Sequence, residues 1–203
     1  AEPVIVETSQ ENGWKMTAEQ FEEAMTPKTK MVIINSPGNP TGAVYTEEEL
    51  RAIGEVASYE DIVILSDEIY EKLIYGDHKH VSIASISEEL KSLTVVCHGF
   101  AKAYSMTGWR IGYTAAPPEM AAAIAKIQSH TTSNATTFAQ YGALAALSGP
   151  QDFVEDMRSE YDVRRQFVHA RLSAIPNITI QNPGGAFYFL SLIHISEPTR
   201  RIL

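Results

Sequence analysis

Three nearly unbroken runs of β-forming residues constrain this chain most: Met31-Val-Ile-Ile-Asn35, Ile62-Val-Ile-Leu-Ser66 and Thr94-Val-Val-Cys-His98. None alternates apolar with polar residues, so each reads as a strand buried on both faces, as in a parallel sheet. Helix signals stand between them. Thr17-Ala-Glu-Gln20 has the spacing of a capping box and predicts a helix reaching about Met25. Thr46-Glu-Glu-Glu49 is a second such box, opening a helix over 47–58 with Leu50, Ile53 and Val56 on one face. A short strand over 4–7 and a further strand over 111–115 complete the first half. This alternation predicts an α/β fold, a doubly wound and mostly parallel sheet with right-handed crossovers. From Pro118 onward the pattern turns helical, over 118–129, 135–147 and a long segment 150–173 begun by Pro150. Strands over 177–181 and 185–190 then read as the beginning of a smaller α+β domain.

In doubly wound sheets, ligands sit at the carboxyl ends of the strands. Asn39, Asp67 with Tyr70, and Lys102 each lie just past one strand end, and that convergence points to a single site. Pro37 and Pro40 exclude helix or central strand over 36–42, which makes Asn39 a turn residue. Lys102, among Phe100, Tyr104 and Met106, loses part of its solvation there, and desolvation favours the neutral amine that attacks a carbonyl. Arg110 brings a permanent forked charge suited to phosphate. An aldehyde that also carries a phosphate needs both groups. A surface lysine and an arginine paired with one of 25 acidic residues is the plainer alternative for such a pair in isolation.

The formal charge of −9 argues against nucleic acid or an anionic membrane as partner. No apolar run approaches the roughly 20 residues that span a bilayer. The single cysteine, Cys97, sits in a strand, which fits a small buried residue and a reducing cytoplasm. Six histidines show no metal-ligand spacing, and His78 and His80 read as solvated residues of a polar loop. Trp109 and Tyr104 read as packing aromatics. The first residues have neither a basic start nor a cleavage site, and the absence of an initiator methionine predicts an incomplete chain.

The segment Gly99-Phe-Ala-Lys102-Ala-Tyr-Ser-Met-Thr-Gly108-Trp-Arg110-Ile-Gly112 resembles the pyridoxal-phosphate attachment segment of class I/II aminotransferases of fold type I. The resemblance covers roughly 1–189 and implies pyridoxal 5'-phosphate as cofactor. It also implies Lys102 as the Schiff-base lysine and proton shuttle, and Arg110 as the phosphate ligand. By the same resemblance Asp67 holds the pyridine nitrogen protonated, while Tyr70 and Asn39 contact the cofactor's phenolic oxygen. Asn39 further contacts the substrate carboxylate, and Asn39–Pro40 is expected to be cis. Gly99 stands where many relatives carry a phosphate-binding serine, and His98 where many carry asparagine.

Within the family, 129–142 is most similar to bacterial-type aspartate aminotransferases. Aspartate with 2-oxoglutarate is therefore the expected substrate pair. Residues 131–134 fall where relatives approach a partner subunit, so a homodimer is expected. A carbon–sulfur β-lyase or related synthase keeps the cofactor but changes the reaction, and a non-catalytic phosphate-binding α/β module gives Lys102 no covalent role. The expected division is a partial cofactor-binding large domain over 1–172, a small-domain start over 173–189, and a tail over 190–203. That tail departs from the family pattern and resembles translated sequencing-adapter read-through. Arg200 and Arg201 lie in it. Relatives carry a phosphate loop upstream and a carboxylate-clamping arginine downstream, so the 203-residue chain alone is expected to bind the cofactor weakly and not to transaminate.

Overall fold

Both capping boxes close as the sequence predicts. The Thr17 hydroxyl accepts the Gln20 N–H and the Gln20 amide oxygen accepts the Thr17 N–H, opening helix α1 (Ala18–Ala24). Thr46 and Glu49 make the same reciprocal pair ahead of helix α2 (Glu47–Tyr59). These bonds satisfy backbone donors that have no partner inside a helix. The computed structural model describes residues 1–193, and Arg200 and Arg201 therefore lie outside the described residues.

Strands β1 (Met31–Asn35), β2 (Val63–Asp67), β3 (Thr94–Gly99) and β4 (Gly112–Ala115) form one sheet in that order. The first two pairings are parallel, and helices α2 and α3 (Glu88–Leu93) supply the crossovers. β4 runs antiparallel to β3. A parallel return usually runs through a helix, whereas 100–111 contains only one 3-10 turn, Thr107–Trp109.

The helical half follows as α4 (Pro118–Thr131), α5 (Thr137–Ser148) and α6 (Asp152–Ser173). Pro150 lies just outside α6, with Gln151 at its N-cap. A second sheet pairs β5 (Ile178–Ile180) with β6 (Ser191–Ile193), antiparallel.

The main core lies on one face of the large sheet. Val32, Ile34 and Ile64 pack there against Phe21 of α1 and against Leu50, Ile53 and Ala57 of α2. Gly54 lets α2 close on α3, because a Cβ there would stand 2.7 Å from Leu90 Cδ1. Each aliphatic side chain fully buried in this way contributes about 1.5–3 kcal/mol. A smaller cluster of Tyr70, Leu73, Tyr75 and Ala186 forms at the strand ends, and another of Phe100, Met106 and Ala143 joins the Lys102 turn to α5.

Three expectations about these elements fail. Residues 4–7 form no strand: no described strand lies beside them, and Val4 and Ile5 stay exposed. β1 is buried on one face only, with Met31 49% and Ile33 66% exposed. Residues 185–190 form no ladder: the Gly185 N–H goes to Gly42 O and the Ala186 N–H to Leu73 O, with an isolated bridge to Ile74. A strand, β6, does follow, within the stretch over 190–203 that departs from the family pattern.

Candidate active site

Parallel register aligns the carboxyl ends of the first three strands, with Asn35 opposite Asp67 and Asp67 opposite Cys97. Neighbouring strands lie about 4.8 Å apart, so the three ends fall within about 10 Å of one another. Asn35 fastens two of them. Its side-chain Nδ2 donates to Asp67 O at 3.0 Å, and its Oδ1 accepts the Asn39 N–H at 2.7 Å. The Asn39–Pro40 bond is cis, as is Ser36–Pro37. Asn39 thereby sits exposed at the tip of its turn, tied to the end of β2.

Asp67 Oδ1 accepts the Ile69 N–H at 3.2 Å. One carboxylate oxygen caps the turn, and Oδ2 takes no protein hydrogen bond among the described residues. The neighbouring Glu68 points into the interior, where it accepts from Ser66 and Ser82 and meets His80 Nε2 at 3.0 Å. His80 is therefore no solvated loop residue: its side chain is 13% exposed, drawn inward by the buried carboxylate. His78 does remain exposed.

Tyr70 is 3% exposed and forms the floor of the site. Lys102 Nζ lies 5.4 Å from the Tyr70 ring centroid and 5.3 Å from that of Phe187, within cation–π range of both. The Tyr70 hydroxyl bonds the Tyr188 hydroxyl at 2.6 Å. Burial, reinforced by that bond, holds the Tyr70 phenol well above its ordinary value, so it stays a proton donor. Phe187 and Tyr188 are site residues that sequence reasoning misses. Their signal was the Gly-Ala-Phe-Tyr stretch, read as a strand.

Arg110 adopts the left-handed conformation (φ 51°), and its Nη1 donates to Thr107 O at 2.9 Å. Neither the Arg110 guanidinium nor the Lys102 amine forms an ion pair among the described residues, so both are available to a ligand. Gly99 is held by close β3–β4 approach. A Cβ there would meet Gly112 Cα at 3.1 Å and Ile111 O at 3.2 Å, which leaves little room for a serine. Tyr104 and Trp109 pack as expected, the first donating to Gln151 and the second lying against Phe138 and over Gly142. Cys97 is half-buried. Among the described residues no cluster of His, Cys, Asp or Glu could hold a metal ion.

The donor set fits pyridoxal phosphate by its chemistry: a carboxylate with one free oxygen, a protonated phenol, an unpaired amine and an unpaired guanidinium at one sheet edge. The structure brings Asn39, Asp67, Tyr70 and Lys102 to that edge and places Arg110 on the turn beyond Lys102.

The model of the family "Aminotransferase class I and II" matches residues 1–197. The chain is 54% identical over 186 residues to the aspartate aminotransferase of Geobacillus stearothermophilus, covering 92% of this chain and 47% of that one. It is 49% identical over 187 residues to an asparagine–oxo-acid transaminase of Streptococcus mutans, covering 92% and 48%. The crystal structure of the Rhizobium meliloti aspartate aminotransferase superposes with a TM-score of 0.92 at 38% identity, over 95% of this chain and 48% of that one. The chain thus spans about half the length of the relatives it matches. Together, the fold, the strand-end residues and these matches establish that the chain belongs to the class I and II aminotransferase family.

Proposed function

We propose that the whole protein transfers an amino group from an amino acid, aspartate first, to a 2-oxo acid with pyridoxal 5'-phosphate. One observation carries the reading most: the Lys102 amine sits unpaired over the buried Tyr70 phenol, beside the strand end that presents Asp67. The bound cofactor would supply an electron-withdrawing ring that accepts the electron pair released at the amino acid's α-carbon. Lys102 is the covalent attachment point and afterwards carries a proton to and from the α-carbon. Asp67 offers its free oxygen to a protonated ring nitrogen. Tyr70 and Asn39 donate to a phenolic oxygen, Asn39 also contacts the substrate carboxylate, and Arg110 holds the phosphate.

Aspartate as donor is supported by the names of the similar Geobacillus and Bacillus proteins. Enzymes at similar identity carry aspartate/prephenate and asparagine–oxo-acid names, so the acceptor and the donor amide are part of the proposal. We further propose a cytoplasmic homodimer, with 1–172 in the cofactor-binding domain, 173–189 beginning a smaller one and 190–203 outside both. No described helix is long and apolar enough to cross a membrane. The 203-residue chain alone is expected to capture the cofactor on Lys102 without measurable turnover.

The test is a Lys102→Ala substitution in the whole protein, assayed with aspartate and 2-oxoglutarate. A loss of about 10³-fold or more in kcat is expected, the scale of a lost proton-transfer group. Undiminished turnover in that variant refutes the assignment. Release of a thiol, pyruvate and ammonia from an S-substituted cysteine by the unsubstituted whole protein, in place of amino transfer from aspartate, would convert it to a β-lyase.

A further inference from the structure

His98 is a buried titratable group that the proposed chemistry leaves without a role. Its side chain is 7% exposed and stacks on Tyr113 of β4 at 5.3 Å with a 21° tilt between rings. Its Nδ1 accepts the Gly99 N–H at 2.8 Å. Its Nε2 lies 3.1 Å from Glu71 Oε1, at ion-pair distance but off the line of a hydrogen bond.

These contacts join the two turns that build the site. Glu71 directly follows Tyr70, and its N–H closes the turn onto Glu68 O. Gly99 directly precedes Phe100, whose carbonyl takes the N–H groups of Tyr104 and Met106 and so closes the loop around Lys102. A single imidazole therefore spans from the Tyr70 turn to the root of the Lys102 loop. The Gly99 contact also fixes the ring's protonation state. A nitrogen that accepts an N–H must carry a lone pair, so the ring proton sits on Nε2, facing Glu71. A second proton would set two N–H groups head-on at Nδ1 and break the Gly99 contact.

We infer that His98 is a positioning residue for Lys102, and that it positions the lysine only while its imidazole is neutral. The groups facing the ring are Glu71 and, behind it, Glu68 on the turn after β2, Tyr113 on β4, and the Gly99 N–H on its own strand. Lys72 lies 3.4 Å from the same Glu71 oxygen. Glu68 is already committed to Ser66, Ser82 and His80, which leaves Glu71 as the acid that answers the ring. The inference rests on the proposed role of Lys102, but its test needs no cofactor.

The experiment uses the 203-residue chain. Imidazole ¹⁵N NMR follows the His98 tautomer and midpoint, and competitive acetylation with mass spectrometry follows Lys102 against the exposed Lys28 across pH. The expected result is an Nε2-protonated tautomer above the midpoint. Lys102 reactivity relative to Lys28 should step by about threefold at that same midpoint, near the low end of coupling within one contact network. His98→Asn, which offers Gly99 an acceptor at every pH, should keep the upper level and remove the step. His98→Phe should remove the step and hold the lower level. A step that survives in both variants, a flat wild-type profile while His98 titrates, an Nδ1-protonated ring, or a ring that never titrates would each overturn the inference. If the step appears but pyridoxal phosphate never attaches to Lys102, it is the proposed function that fails.

Discussion

The two faces of β1 carry equally apolar side chains and meet opposite fates. Val32 and Ile34 lie 7% and 2% exposed under α1 and α2, while Met31 and Ile33, one residue away, stand open. The same holds along the helical half. Phe138, Tyr141, Leu144 and Leu147 of α5 are all more than half exposed, whereas Ala139 and Ala143 on its other side are buried. Val/Ile runs of this kind are the mark of strands covered on both faces. The described residues cover one. The candidate site lies at the strand ends, next to the core that α2 builds on the covered face.

That contrast can be broken by substitution. Ile64→Ala on the covered face of the central strand should cost about 3 kcal/mol, the range for a fully buried aliphatic truncated to a cavity, measured by urea denaturation. A cost under about 1 kcal/mol would mean that the face is not the stabilising one.

Acid sharpens the comparison at the strand ends. Burial alone would raise Glu71, but His98 and Lys72 outweigh it and hold the carboxyl down to about 2, below its unfolded value of 4.5. A lowered carboxyl stabilises the folded state above the unfolded value and loses that contribution as pH falls through the folded one. Stability should therefore drop between about pH 4.5 and 2, by about 2 kcal/mol once partial exposure is allowed for. Glu71→Gln should flatten the drop in a pH series of denaturation curves.

Smaller effects follow. Thr46→Ala should cost about 1 kcal/mol by removing the cap of α2. Ile33→Thr on the open face should change stability by less than about 0.5 kcal/mol, as exposed positions do, and circular-dichroism melts of both variants would check the pair.

Much of this was legible because it is local. The capping boxes at Thr17 and Thr46 state their own helix starts, and the strand runs place Asp67 at the end of its strand and Asn39 and Lys102 beyond the ends of its neighbours. What could not be read depends on the chain meeting itself at long range. Asn35 looks like a strand terminator until its amide is seen bridging Asn39 to Asp67. Tyr188 reaches Tyr70 across 118 positions, and Phe187 arrives over Lys102 with it. The 185–190 segment had the composition of a strand, but its Gly185 and Ala186 N–H groups went to Gly42 O and Leu73 O, partners far away in sequence. His80 looked polar and exposed until Glu68 claimed it.

In the proposed function the strand-end amine is the reactive one. The direct test is to incubate the chain with pyridoxal phosphate, reduce with borohydride, digest and map the peptides by mass. A fixed adduct concentrated on Lys102 is the expected result. Modification spread over exposed lysines such as Lys28 and Lys91, with Lys102 untouched, would contradict it.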